Sequence, residues 1–257
     1  MIAAARPPRE RLWIAVALGC IALACWAWLV PAALDMHGGM RGIAAWMMHP
    51  RRDFSYAALM FGMWAAMMTG MMLPSALPTA LLFARVVQSD NRVRSPWLRV
   101  ALFTTGYLAV WLAFCLLAVA VQQILYASAL LTPMLRLRNA TVGGILLILA
   151  GAYQWLPAKR QCLAHCRSPA VFIASHWHPG ARGALRLGLR HGVFCLGCCW
   201  MLMLLLFVGG VMNLAWIIAI TLMVLLEKFA SFGAQAGRLV GALLAVAGAA
   251  VIGFGLG

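Results

Sequence analysis

"SYAALMFGMWAAMMTGMMLPSALPTALLFA", residues 55–84, runs for thirty positions without one charged side chain. A helix crosses the hydrocarbon core of a bilayer with roughly 20 apolar residues, so this stretch is long enough with a margin. Inside lipid no water is available to the backbone, and a helix satisfies its own amides. Similar runs near residues 12–33, 97–126, 139–156, 192–211, 213–230 and 236–256 bring the expected spans to seven. The separators "GGVMN" and "EKFASFGAQAGR" around the last two are short, which leaves six or eight open.

Composition points the same way. Of 257 residues, 65% are hydrophobic and 10% charged, and the mean hydropathy is +0.94. A soluble domain carries about 25% charged residues, so this chain has too little polar surface to face water all round. The expected fold is all-α, a polytopic transmembrane helix bundle forming a single membrane domain over residues 1–257. Two long connections stand out, an external Met/His loop at 35–53 and a cytoplasmic Cys/His loop at 157–191.

The formal net charge is +15, which first suggests an anionic partner. Its distribution argues otherwise. With the N-terminus inside, the inner segments hold fifteen Lys and Arg, from Arg6 through Arg85 and Lys159 to Arg238, against five outside: Arg41, Arg51, Arg52, Arg136 and Arg138. That is the positive-inside bias, so the basicity orients the chain in a bacterial inner membrane, N-terminus in and C-terminus out. Nucleic acid is not an expected partner. The first apolar run exceeds a secretory h-region of about 7–15 residues and lacks an A-x-A-like end, so it is read as an uncleaved helix.

Six methionines fall within residues 60–73. At 100° per residue, Met60, Met63, Met67 and Met71 lie within about 80° of one helix face, with Met68 and Met72 on its flank. Thioether sulfur is neutral and soft, suited to Cu(I), and avoids the cost of an anion in lipid. The bland alternative is that methionine fills gaps between helices. Met36, His37, Met40, Met47, Met48 and His49 precede the run and form a candidate collecting surface. Pro74 and Pro78 are expected to kink the helix just beyond it.

Cysteines gather further on. "CLAHC" supplies Cys162, His165 and Cys166, and "HGVFCLGCC" supplies His191, Cys195, Cys198 and Cys199. The last three thiols share an arc of about 100° on a helix, and a reducing compartment would keep them available. His176 and His178 offer further nitrogens. Cu(I) is the preferred metal, and a structural zinc site is the rival reading. Cys20, Cys25 and Cys115 are read as filler. The last run carries Gly233, Gly237, Gly241, Ala245, Ala249 and Gly253 every four residues, a smooth face for helix packing. With five acidic residues in the chain and no plausible catalytic pair among them, enzyme chemistry is not expected. Glu227 and Lys228 are read as a buried ion pair or an interfacial anchor.

The stretches "MFGMWAAMMTGMMLP", "CLAHC" followed by "RSP", and "GLRHGVFCLGCCWMLMLLLFVGGVMNLAW" continuing to "LLEK" resemble a bacterial family of predicted metal-binding integral membrane proteins without an assigned function. The resemblance covers about residues 56–228 and implies a multi-helix membrane protein that binds metal. It supplies no substrate and no catalytic residues.

The resulting expectation is a protein that collects Cu(I) outside, passes it along the methionines and holds it at the inner cysteines. It would serve either for movement across the membrane or as a metallochaperone. Its partners would be the bilayer, the metal, and a metalloprotein client or a second copy of the chain. A structural subunit with its sulfurs as packing is the third reading.

Overall fold

The computed structural model describes residues 9–37, 47, 53–89 and 95–255. Its helices are α1 (Arg9–His37), α2 (Phe54–Ser89), α3 (Pro96–Ala127), α4 (Ala140–Tyr153), α5 (Pro157–Arg167), α6 (Pro169–His176), α7 (Gly180–Leu204), α8 (Leu206–Gly209), α9 (Leu214–Phe229) and α10 (Gly233–Phe254). Among the described residues there is no strand, and Leu131 pairs with Leu137 in an isolated bridge.

Local chemistry sets several boundaries. Asn139 and Asn213 accept from the backbone N–H of Val142 and Trp216 at 3.1 and 3.2 Å, capping α4 and α9. Pro96, Pro157 and Pro169 sit in the first turns of α3, α5 and α6, where a missing N–H costs nothing. Leu156, just before Pro157, is extended as that position prefers, and α4 and α5 meet at a 62° bend.

Among the described residues five helices are long and apolar enough to cross a membrane: α1, α2, α3, α7 with α8, and α10. The bent α4–α5 pair makes a sixth if counted as one span. The expectation of seven is therefore not met by these helices. The expected runs at 139–156 and 213–230 become helices of 14 and 16 residues. At 1.5 Å per residue they reach about 21 and 24 Å, short of a hydrocarbon core of about 30 Å. Along the helices of spanning length Leu23, Leu116, Leu117, Ile124, Leu239, Leu243 and Val246 are exposed, a surface that lipid tolerates and water does not.

The segment 157–191 folds mostly as helix, and Lys159, Leu163, Phe172 and Ile173 are buried. Helix α2 packs against α1 and α3, α3 lies along α7, α5 packs on α7, and α4 pairs with α10. The α3–α7 contact is close because Gly188 brings its backbone against Phe103, where a Cβ would overlap the Phe103 carbonyl. The α10 stripe is used in part. A Cβ on Gly151 would stand 2.5 Å from the Gly241 carbonyl, and one on Gly144 would stand 2.7 Å from that of Gly248. Gly253 meets nothing. Four-residue steps drift about 40° per repeat on a helix, so the far end of the stripe rotates out of the contact.

Helix α2 runs through both prolines without a break. Pro74 leaves the Gly70 carbonyl without its helical donor, and the Trp26 indole N–H of α1 donates to it across 3.2 Å. A neighbouring helix has resupplied the freed group, which is how a proline is carried in a membrane helix.

Candidate metal centre

The methionine face of α2 turns inward. Met60, Met63, Met67, Met68, Met71 and Met72 are all 0% exposed. Met36 from α1 and Met47 from the connection are equally buried and belong to the same core, as do Cys195, Cys198 and Cys199 of α7. Cys162 and Cys166 of α5 pack against it. Sulfur side chains from separate helices therefore converge on one interior. Met203 and Met212 join it as well, although nothing in their sequence context set them apart. The side chain of His37, and residues Met40, Met48 and His49, lie outside the described residues.

The two sulfur groups meet at Met72. Its Sδ lies 4.0 Å from the Cys199 thiol, while its carbonyl accepts from the Tyr107 hydroxyl at 2.9 Å and from Ser75 at 2.8 Å. Tyr107 in turn stands 3.1 Å from Cys195 Sγ. Cys198 and Cys199 follow Cys195 by three and four positions on the same helix, and Cys166 packs against the same core. Cys198 and Cys199 nevertheless rest with their S–H groups donating to the Cys195 carbonyl at 3.0 and 2.9 Å. Accordingly, no three His, Cys, Asp or Glu side chains among the described residues converge as a ready-made metal site. Ligation by this set requires the α7 thiols to rotate off the carbonyl they share.

A cation already sits beside them. Lys228 of α9, 6% exposed, donates to Cys195 Sγ at 3.0 Å and to Ser75 Oγ at 2.8 Å. Its neighbour Glu227 points elsewhere, to Lys159 Nζ at 2.7 Å, and Lys159 also donates to Gln154. Arg167 closes the far side by donating to the Glu227 backbone carbonyl at 2.7 Å. Glu227 and Lys228 are thus both buried but not paired with each other. Adjacent residues on a helix point about 100° apart, and each found its partner on another helix. A Cβ on Gly237 would come within 2.7 Å of Glu227 Oε1, so that glycine makes room for the carboxylate.

The histidines divide. His191, one turn before Cys195, is buried among Phe103, Tyr107 and Phe172, and its Nδ1 has no hydrogen-bond partner among the described residues. His165 turns away from the thiols and stacks on Phe194, ring centroids 4.0 Å apart. Lys228, Tyr107 and Ser75 were not among the residues expected at the centre. Their signal was the general one, a polar side chain within an apolar run. A groove of about 830 Å³ is lined by apolar side chains such as Leu222, Phe229 and Leu244, with no cysteine among its lining residues.

The fold and the site together define an all-helical protein with spanning-length helices around a buried thioether and thiol core. A family model described as PpoB2, copper chaperone, matches residues 61–251, and the chain belongs to that family. The match begins within the methionine run and takes in every cysteine of the core. It supports the expected association with copper. No curated protein and no solved structure matches the chain.

Proposed function

We propose that this protein is a membrane-embedded Cu(I) chaperone that holds the ion among the α2 thioethers and the α5 and α7 thiols and yields it to a metalloprotein client. The observation that carries the reading is the 4.0 Å approach of Met72 Sδ to Cys199 Sγ, which makes the methionine run and the thiols one continuous soft surface. Thioether and thiolate suit Cu(I) and poorly suit Mg, Ca or Mn. Two thiolates around one Cu(I) leave a net negative charge, and the Lys228 ammonium beside Cys195 balances it where uncompensated charge is expensive. His191, with a nitrogen free, completes the candidate donor set. No catalysis is assigned to these residues.

In this reading α4 and α9, shorter than the full hydrocarbon thickness, also pass through a bilayer that thins around them, bringing the passes to seven. The N-terminus faces the cytoplasm of a bacterial cell, as the basic residues suggest. Copper enters at the end carrying Met36 and Met47 and leaves at the end carrying Cys162 and Cys166. The continuity of the sulfur run also favours a second reading, passage of Cu(I) from one side to the other. Liposomes containing the protein and an internal Cu(I) chelator separate the two. Stoichiometric binding without accumulation supports the chaperone, and sustained uptake supports passage. Protein that neither binds Cu(I) nor gains thermal stability from it would overturn both.

A further inference from the structure

His165 at the end of α5 and His176 at the end of α6 stand with ring centroids 6.0 Å apart, inclined at 61°. Both rings are fixed from the same side. His165 Nδ1 lies 2.8 Å from the Gln161 carbonyl, and His176 Nδ1 lies 3.1 Å from the Phe172 carbonyl. A carbonyl can only accept, and Ser175 Oγ, 2.9 Å from His176 Nδ1, gives its own proton to the Val171 carbonyl at 2.8 Å, so each Nδ1 carries the proton and each Nε2 keeps its lone pair. Backbone anchoring of one nitrogen with the other left free is the arrangement of a metal-ligating histidine.

The rings are also held in place. His165 stacks on Phe194 at 4.0 Å with an interplanar angle of 2°, and Phe172 lies 5.1 Å from the His176 ring. Both histidines are half-buried, so an ion can reach them from the end of the bundle. With metal–nitrogen bonds of about 2.0 Å, two imidazoles clamped linearly on one ion have centroids roughly 6 Å apart. Imidazole is a ligand that copper accepts. Two ligands suffice for Cu(I), whereas a structural zinc site asks for four.

We propose that His165 and His176 form a separate two-coordinate Cu(I) position at the α5–α6 end of the bundle, outside the thiol core. The pair extends the chaperone reading without depending on it. It offers a weaker, more accessible pair of ligands through which the ion is exchanged with a partner.

The test uses full-length protein titrated anaerobically with Cu(I) against a chromophoric Cu(I) chelator. H165F and H176F keep a ring in each place. Each is expected to lose one equivalent of Cu(I), and the double variant the same single equivalent. In wild type, Cu(I) should shield His165 and His176 from carbethoxylation by diethyl pyrocarbonate, while exposed His178 stays reactive. Unchanged stoichiometry in the variants, or unshielded rings in wild type, overturns the proposal; shielding alone decides if a variant fails to fold. In C198S/C199S the shielding should persist, and its loss there also overturns the proposal. Shielding in wild type with no copper on the thiols would instead sink the chaperone reading and leave the histidine pair standing.

Discussion

Lys228 Nζ and Cys195 Sγ, 33 positions apart in the chain, lie 3.0 Å from each other in the interior of the bundle. A buried ammonium needs an acceptor, and Ser75 Oγ shares the role with the Cys195 sulfur. A hydrogen bond to a charged group is worth about 1.5–3 kcal/mol. C195A should therefore lower stability by that order in thermal denaturation of the detergent-solubilised protein. C198A removes a thiol that donates to the Cys195 carbonyl, worth about 1 kcal/mol. Equal losses in the two variants would mean that Cys195 does not serve as the acceptor.

The same contact makes a prediction about copper. K228M keeps the length of the side chain and removes its charge, so a bis-thiolate Cu(I) would be left uncompensated in a low-dielectric site. The expected loss of Cu(I) affinity is at least about tenfold, equivalent to roughly 1.4 kcal/mol, read by competition with a chelator of known affinity. An affinity equal to wild type would remove Lys228 from the site.

Met72 is the junction between thioethers and thiols. M72L is close to volume-conserving and should cost less than about 1.5 kcal/mol in stability, yet it removes the sulfur 4.0 Å from Cys199. The expected result is a folded protein whose copper–sulfur coordination, measured by X-ray absorption, loses a long thioether distance. M203L is the control, buried in the same core and without a thiol partner at this junction. A spectrum unchanged in M72L would argue that the methionines of α2 are packing.

Much of this arrangement was legible from the chain. Thirty uncharged residues around the methionine run dictate a buried or lipid-facing helix, and the spacing of Met60, Met63, Met67 and Met71 dictates a shared face. The direction of that face was not, because nothing in a periodic apolar pattern distinguishes core from lipid when both are apolar. His165 shows a second limit. Its neighbours Cys162 and Cys166 in "CLAHC" placed it with the thiols, since the three share an arc of about 100° as Cys195, Cys198 and Cys199 do, but it lies at the edge of that arc and its ring stacks on Phe194 instead. Lys228 illustrates a third, since its partner came from a helix far away in sequence and only tertiary packing could select Cys195 over Glu227. The shortness of α4 and α9 was hidden because apolar flanks extend beyond the residues that are helical.

The Glu227–Lys159 pair at 2.7 Å is the other buried charge system. Neither E227Q nor K159M should be tolerated alone, each costing about 3–5 kcal/mol by leaving its partner unpaired. The double variant should recover part of that loss, and a double-mutant cycle on thermal denaturation measures the coupling. Additive losses would show that the two residues act independently.

Gly188 tests whether helix packing holds the metal centre in register. Its Cβ would overlap the Phe103 carbonyl on α3, so G188A must push α3 and α7 apart. Tyr107 lies one turn beyond Phe103, and its hydroxyl stands 3.1 Å from Cys195 of α7. Separation should therefore stretch that contact while reducing stability, since overpacking a tight contact costs about 1–3 kcal/mol. G253A, with nothing within 4 Å of its Cβ, should leave both stability and copper binding unchanged. If G188A lowers the melting temperature and Cu(I) stoichiometry together while G253A changes neither, the α3–α7 approach positions the thiols. If G188A binds copper as wild type does, the centre is built by α7 and α5 without help from α3.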